Sequence, residues 1–324
     1  MQWNHKVFGV KEDNFDAIAL ELFHFQVENN PVYKAYCNAL NVKPSSVTQL
    51  HQIPFLPIRL FKSHEVKSTS FEPQAIFESS GTTGSINSRH LVKDLSVYQQ
   101  SFTQGFELFY GPIQDYCIIG LLPSYLERNN SSLVVMVDKL IKLSQHPQSG
   151  FYLDDYDKLS RVLQDLESHH QKTLLIGVTF ALLDFAEKYL MPLHQCIIME
   201  TGGMKGRREE MIRQQVHEKL STAFGVSHIH SEYGMTELLS QAYSKGDGIF
   251  NCPPWMKIVL RDEEDPLQLK KQGTGIINVI DLANIYSCSF IATDDAGKLH
   301  PNGSFEVIGR VDGSDLRGCS LMVL

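Results

Sequence analysis

The chain has 324 residues, of which 43% are hydrophobic and 20% charged, a globular composition that excludes disordered, collagen-like and coiled-coil proteins. Its 29 Lys and Arg against 37 Asp and Glu give a net charge of −8, and without a dense basic cluster this argues against nucleic-acid binding. Six scattered cysteines without a CxxC pair disfavour a disulfide scaffold or a four-cysteine zinc site.

The first predicted elements are helices within residues 1–40, where Phe15, Ile18 and Leu22 repeat at helical spacing. Pro31 is expected to begin the second of these helices. The proline-spaced segment 53–61 predicts extended backbone, because Pro54 and Pro57 do not suit a regular helix.

Strands and helices then alternate. A short run of small polar residues at 78–90 precedes an amphipathic helix over 95–109. The predicted strands are 116–122, 173–178, 195–200 and 227–233, and the helices between and after them are 131–143, 158–170, 182–190 and 208–224. Short apolar strands separated by helices predict an α/β fold with a mainly parallel sheet.

The last part of the chain changes character. Residues 274–282 and 288–295 predict strands, and turn signals follow at 294–297 and 301–303. We therefore expect an α/β core over residues 1–245 and a small β-rich subdomain over 246–324. The apolar runs are shorter than the ~20 residues of a membrane span, and no apolar signal core begins the sequence, so a cytoplasmic location is expected.

A loop rich in hydroxyls and glycine is the first candidate site. It consists of Ser79, Ser80, Gly81, Thr82, Thr83 and Gly84. Glycines allow a tight turn with inward N–H groups, and hydroxyls can donate to phosphate oxygens. A plain Ser/Gly loop is the alternative, and no Lys follows Gly84 as it would in a P-loop.

Two further motifs follow predicted strands, where ligands bind in α/β sheets. Thr201-Gly202-Gly203-Met204-Lys205 could place a flat ring against bare backbone, although a simple turn is the favoured interpretation of this motif taken alone. Tyr233-Gly234-Met235-Thr236-Glu237 combines an aromatic ring, a hydroxyl and a carboxylate that suits Mg²⁺, with a structural turn as the alternative.

The carboxyl-terminal part offers a carboxylate and a cation. Asp294 ends a predicted strand and could accept both hydroxyls of a ribose, or simply begin a hairpin turn. Arg310, in a Gly-Arg pair, provides a permanent positive charge for phosphate or ribose.

In this order, the motifs resemble those of the adenylate-forming superfamily, which includes acyl-CoA synthetases and firefly luciferase. A closer similarity, to the LuxE-type acyl-protein synthetases, rests on segments 88–90, 122–128, 131–134 and 317–320. The resemblance implies a large amino-terminal-type adenylating domain that uses ATP and Mg²⁺. It also implies a carboxylic acid substrate, most of all a fatty acid, and a reductase as partner protein.

Roles for individual residues follow from the resemblance. It implies that the loop, with Thr82 and Thr83 as donors, binds the β- and γ-phosphates, and that Glu237 is the Mg²⁺ ligand. Thr236 is expected at the α-phosphate or the acyl carboxylate, and Asp294 and Arg310 at the ribose or phosphate. The residues expected around the adenine are Gly203, Met204, Tyr233 and Gly234.

Two departures from the superfamily are visible. No lysine follows the phosphate loop, and the nearest cation is Arg89. The chain ends 14 residues after Arg310, so we expect the mobile carboxyl-terminal domain and its catalytic lysine to be missing.

The expected reaction has two steps: a carboxylate and ATP form an acyl-adenylate, and a thiol then accepts the acyl group. Thiolates are strong nucleophiles near neutral pH, and Cys319, between Gly318 and Ser320, is the candidate acceptor, with a buried structural cysteine as the alternative. Two other functions stay open, a carboxylate–CoA ligase of the phenylacetate type and a nucleotide-binding regulatory or scaffold subunit. We interpret His90, His228 and His230 as surface or core histidines.

Overall fold

The structure is a computed structural model that describes residues 2–79, 86–122, 130–153, 155–202 and 211–311. The described residues form two compact units. The first unit contains those within 1–102, 234–242 and 251–315, and the second contains those within 103–233 and 243–250. The expected division into 1–245 and 246–324 stays a prediction.

Helices and strands alternate through the middle of the chain, which confirms the predicted α/β class. The helices are α1 (Gln2–Phe8), α2 (Phe15–Asn29), α3 (Pro31–Ala39), α4 (Leu60–Ser63), α5 (Leu95–Tyr110), α6 (Ser132–Ser144), α7 (Tyr156–Ser168), α8 (Thr179–Lys188) and α9 (Arg213–Phe224), with short 3₁₀ turns at Pro44–Ser46, Leu50–Gln52 and Ile113–Asp115. The strands are β1 (Leu56–Pro57), β2 (Ala75–Glu78), β3 (Arg89–Val92), β4 (Cys117–Leu121), β5 (Gly150–Phe151), β6 (Thr173–Gly177), β7 (Cys196–Glu200), β8 (His230–Tyr233), β9 (Ala242–Ser244), β10 (Ile249–Asn251), β11 (Met256–Arg261), β12 (Leu269–Lys270), β13 (Gly273–Asp281), β14 (Phe290–Leu299) and β15 (Phe305–Arg310).

The amino-terminal helices are confirmed, and local chemistry explains their boundaries. Phe15, Ile18 and Leu22 are buried on one side of α2. Pro31 occupies the first turn of α3, where its missing N–H costs nothing. The Asn30 side chain caps this helix by accepting a hydrogen bond from the Tyr33 N–H at 3.1 Å.

The second unit contains the predicted parallel sheet. Its strand order is β10-β9-β8-β7-β6-β4-β5, and the pairs among β4, β5, β6, β7 and β8 are parallel. All residues of β4 and β6 are buried, as expected for central strands of a covered parallel sheet.

The first unit holds an antiparallel sheet in the order β12-β11-β13-β14-β15, and β1 adds to β14 in parallel. A separate antiparallel ribbon joins β2 to β3. Among the described helices, none combines the length and the apolar character that crossing a membrane requires.

The predicted turn at 294–297 is wrong, because β14 continues through it to Leu299. Opposite β13, the pair Ile276–Ala296 is followed by Asn278–Ala292, so β14 has extra residues here and forms a bulge. The turn lies instead at the predicted Pro301-Asn302-Gly303, where Gly303 has a φ of +84°. Asp294 therefore sits on a bulge inside a strand and not at a strand end.

Candidate functional site

The β2–β3 ribbon carries the segment predicted to bind phosphates. Ser79 N donates to the Ser88 carbonyl at 3.1 Å, and Ser88 N donates to Ser79 Oγ at 2.9 Å. These two bonds join the end of β2 to the start of β3. The Ser88 hydroxyl is buried and has no hydrogen-bond partner within the described ranges. Ser80, Gly81, Thr82, Thr83 and Gly84 lie outside the described residues.

The Thr236–Glu237 segment belongs to the first unit, and side chains from distant elements hold its backbone. His90 Nδ1 lies 2.8 Å from the Thr236 carbonyl. Asn284 Nδ2 donates to the Glu237 carbonyl at 2.7 Å, and Asn284 Oδ1 lies 3.0 Å from His90 Nε2. The Glu237 side chain is itself buried.

Asp281 anchors the residues that follow. Its carboxylate accepts hydrogen bonds from Leu239 N at 2.7 Å, Ser240 N at 3.1 Å and Ser240 Oγ at 2.5 Å. Burial raises the pKa of Asp281, while these bonds act against that rise. The segment 236–240 is thus fixed through its carbonyls at one end and its amides at the other.

Asp294 and Arg310, predicted to serve the ribose or phosphate, lie on adjacent strands of the first unit. Asp295 is the register partner of Arg310, and its carboxylate lies 3.3 Å from Arg310 Nε. Val311 N donates to the Asp294 carbonyl at 3.1 Å. The structure therefore brings the two predicted residues together, and Asp295 forms the ion pair with Arg310.

Arg59 is a member of this cluster that the sequence analysis missed. Its Nε donates to Asp294 Oδ2 at 3.2 Å. Pro57 is the register partner of Ala292, and Arg59 and Asp294 each follow two residues later in their chains. The sequence feature that could have indicated it is that Arg59 is a charged residue near the end of the otherwise apolar, proline-spaced segment 53–61.

The bulge that presents Asp294 has its own support. Thr293 Oγ1 donates to the Ile277 carbonyl at 2.7 Å and accepts from Asp295 N at 3.1 Å. The Arg261 guanidinium donates to the Thr293 carbonyl at 2.5 Å and to Asn278 Oδ1 at 2.6 Å. Groups left unpaired by the bulge are thereby satisfied, as buried backbone requires.

In the second unit, Thr201 and Gly202 follow β7 as the sequence predicted. Gly202 has a φ of +75°, a conformation that favours glycine. Its N–H donates to Glu200 Oε2 at 2.7 Å, and its carbonyl accepts from Thr179 N at 2.8 Å. The start of the predicted adenine segment is therefore a rigid turn, while Gly203 and Met204 lie outside the described residues.

Glu200, which the sequence analysis also missed, is buried at the end of β7 beside the side chains of Arg213 and His217. Its Oε1 lies 3.9 Å from Arg213 Nε and 3.7 Å from His217 Nε2. Burial alone would raise the pKa of Glu200, but the contacts with His217, Arg213 and Ser231 outweigh it and lower the pKa to about 2. The sequence feature that could have indicated Glu200 is its position, since it is a charged residue that ends an apolar strand just before Thr201-Gly202-Gly203.

Tyr233, predicted to flank the adenine, is buried in the second unit, with its ring centroid 5.9 Å from that of Phe250.

Two other residues of β8 have shifted pKa values. Burial together with the Glu200 charge raises the pKa of Glu232 to about 8. Burial lowers the pKa of His230 to about 4, and its Nδ1 lies 3.2 Å from the Tyr110 hydroxyl. His230 is therefore a neutral, part-buried histidine at pH 7.

The described cysteines are poor nucleophiles. Cys37, Cys117, Cys196 and Cys288 are buried, and Cys252 is half-buried. Burial raises the pKa of Cys37 to about 12 and that of Cys117 to about 11, and it also raises the pKa values of the other three thiols. Cys319, the predicted acceptor, lies outside the described residues.

Comparisons with solved structures show the fold. The chain matches 2-hydroxyisobutyryl-CoA ligase, solved with 2-HIB-AMP and CoA, with a TM-score of 0.68 and 14% identity over 96% of this chain and 72% of that one. It matches ATP-bound MatB from Rhodopseudomonas palustris with a TM-score of 0.55 and 18% identity over 73% of this chain and 48% of that one. The chain thus spans about half the length of MatB.

No curated protein matches the chain. The model of one protein family, described as "Acyl-protein synthetase, LuxE", matches residues 7–324. This range contains every segment on which the predicted resemblance rests, from Ser88-Arg89-His90 to Arg317-Gly318-Cys319-Ser320. The resemblance is confirmed, and the chain belongs to the LuxE acyl-protein synthetase family.

Proposed function

We propose that this protein activates a carboxylic acid, most of all a fatty acid, with ATP and transfers the acyl group to a protein thiol for a partner reductase. The observation that carries the proposal is the family match over residues 7–324, which contains all the motifs assigned to this chemistry. The location proposed for this activity is the cytoplasm.

In the first half-reaction, a carboxylate oxygen of the acid attacks the α-phosphorus of ATP. The bond from that phosphorus to the bridging oxygen breaks, and acyl-adenylate and pyrophosphate result. The protein contributes positioning and charge neutralisation. We assign the β- and γ-phosphates to residues 79–84, the α-phosphate or acyl carboxylate to Thr236, and the ribose to Asp294 and Arg310.

The donor set at Glu237 suits Mg²⁺. This ion usually takes one or two carboxylates from a protein and completes its shell with substrate phosphates and waters. A buried carboxylate on a fixed backbone, preceded in the chain by Thr236, offers that kind of partial site. Bound Mg²⁺ would neutralise charge on the phosphate oxygens.

In the second half-reaction, a thiolate attacks the acyl carbonyl carbon and AMP leaves, which gives a thioester. We assign the thiolate to Cys319. Burial raises the thiol pKa values of the other five cysteines, so they are unsuited to this role.

A second candidate is a carboxylate–CoA ligase, favoured by the shared fold with a ligase solved with CoA. To decide, the purified protein is incubated with ATP, Mg²⁺ and labelled acids of varied chain length, with and without CoA. Label on the protein that hydroxylamine removes, and that Cys319→Ala lacks, supports the acyl-protein synthetase. Acyl-CoA in solution supports the ligase, and absence of pyrophosphate exchange for every acid leaves a nucleotide-binding regulatory or scaffold subunit.

Substitution of Glu237 tests the metal assignment. Glu237→Gln removes the charge but keeps the shape, so we expect ATP–pyrophosphate exchange to fall about 100-fold or more while the far-ultraviolet circular dichroism spectrum is unchanged. Glu264→Gln, at an exposed position of the same unit, is the matched control and should keep wild-type exchange. Exchange at the wild-type rate in Glu237→Gln contradicts the assignment.

A further inference from the structure

We propose that His90 is a positioning residue for the site that binds the nucleotide and its metal. It holds the backbone of Thr236 and Glu237 to β3, the strand that follows the phosphate loop. The proposal rests on the proposed function, because it concerns the same site. His90 lies on β3, two residues after Ser88, and is 1% exposed.

The contacts of His90 are directed at the segment that carries the functional side chains. Nδ1 donates to the Thr236 carbonyl at 2.8 Å, which places a hydrogen on that nitrogen. Nε2 lies 3.0 Å from Asn284 Oδ1, and the same amide donates to the Glu237 carbonyl at 2.7 Å. Both carbonyls of the Thr236–Glu237 pair are therefore held by side chains that also contact each other.

The same strand closes the phosphate loop. The Ser79–Ser88 hydrogen bonds join β2 and β3 at the root of the loop, and His90 follows on β3. Within the first unit, the buried His90 side chain thus links β3 to the Thr236 carbonyl, and it contacts Asn284, which holds the Glu237 carbonyl. Loss of this link would leave both segments folded but free to shift relative to each other.

A purely structural role makes a different prediction. His90 packs edge-on against the Phe61 ring, with centroids 6.0 Å apart, so it also fills space in the core. If filling space is its only role, the larger substitute Gln should be tolerated better than Asn, which leaves a larger void. If the Thr236 bond is what matters, the order reverses, because the amide nitrogen of Asn lies near the position of Nδ1 and that of Gln lies near Nε2.

The first measurement needs no ligand. Amide hydrogen exchange of the peptide that covers residues 233–242 is followed in wild type, His90→Asn and His90→Gln. We expect wild-type protection in His90→Asn and at least about tenfold faster exchange in His90→Gln, since the latter loses the Thr236 bond. Equal protection in the two variants, or better protection in His90→Gln, overturns the proposal.

The second measurement is the Mg²⁺ concentration for half-maximal ATP–pyrophosphate exchange. Loss of a group that orients a metal ligand weakens metal binding about 10- to 100-fold, so we expect that increase in His90→Gln, with a much smaller change in the rate at saturating Mg²⁺. His90→Asn should stay near wild type. An unchanged Mg²⁺ requirement in His90→Gln refutes the positioning role. Absence of ATP–pyrophosphate exchange in wild type refutes the proposed function, and the hydrogen-exchange measurement still tests the positioning role.

Discussion

Two carboxylates in neighbouring strands show how residue environment, and not residue type, decides charge. Glu200 ends β7, and its neighbours Arg213 and His217 lower its pKa to about 2 although it is buried. For Glu232 in β8, burial and the Glu200 charge act in the same direction, and together they raise its pKa to about 8. At pH 7 Glu200 is therefore ionised and Glu232 is mostly protonated. The ionised Glu200 accepts the hydrogen bond from Gly202 N that holds the turn after β7.

The low pKa of Glu200 makes a prediction about acid stability. A carboxyl group whose pKa is lower in the folded than in the unfolded state stabilises the fold above its unfolded pKa, near 4.5, and loses that contribution as the pH falls towards 2. Glu200→Gln should therefore lower the free energy of unfolding by about 3 kcal/mol at pH 7, and the deficit should shrink below about pH 4.5. Urea unfolding at several pH values measures it.

Glu218→Gln is the matched control for this measurement, because Glu218 is an exposed residue of α9. Its free energy of unfolding should stay within about 0.5 kcal/mol of wild type at every pH. A Glu200→Gln deficit that is the same at pH 7 and pH 3 contradicts the assigned pKa shift.

At the scale of single elements, β14 shows how a sequence signal for a turn can be overruled. Asp-Asp-Ala-Gly is favourable turn chemistry, yet the strand passes through it because β13 and β15 pair with it on both sides. The bulge absorbs the mismatch and turns Asp294 towards Arg59. Pro31, by contrast, begins α3 as its local chemistry predicts, and the Asn30 side chain caps the helix.

The bulge depends on the Thr293 hydroxyl. Thr293→Val keeps the shape but removes the donor to the Ile277 carbonyl and the acceptor for Asp295 N, so we expect the free energy of unfolding to fall by about 1–3 kcal/mol. Thr293→Ser retains the hydroxyl and should lose clearly less. Chemical unfolding of both variants distinguishes these cases, and a larger loss in Thr293→Ser than in Thr293→Val would mean that the methyl group, not the hydroxyl, is responsible.

On the scale of the whole molecule, the distribution of the described cysteines suits the proposal of a single acceptor thiol elsewhere in the chain. Cys37 and Cys288 lie in the first unit, Cys117 and Cys196 in the second, and all four are buried. Burial keeps these thiols protonated and out of reach, which suits the proposed chemistry with a reactive acyl-adenylate.

This distribution predicts the pattern of thiol labelling. In the native protein, iodoacetamide should modify Cys37, Cys117, Cys196 and Cys288 at least about 100-fold more slowly than in urea, because the fold both shields them and raises their pKa values. Peptide mass spectrometry over a time course measures each site separately. Fast native labelling of any of these four contradicts the described burial.

Local patterns were enough to predict most elements. Apolar spacing predicted α2, and the apolar runs at 116–122 and 173–178 became β4 and β6, because hydrophobic periodicity and burial follow directly from side-chain order. The order of the motifs likewise indicated the family, which the match over residues 7–324 confirmed. The sequence by itself therefore determined the α/β class, the chain positions of the candidate motifs and the family.

The tertiary structure decided which side chains support those motifs. His90 meets Thr236 across 146 residues of sequence, and Arg59 meets Asp294 across 235. Such pairings depend on strand register and on the packing of distant segments, which no local pattern encodes. For the same reason the charge states of Glu200 and Glu232 followed only from their folded surroundings, since desolvation and neighbouring charges set a pKa.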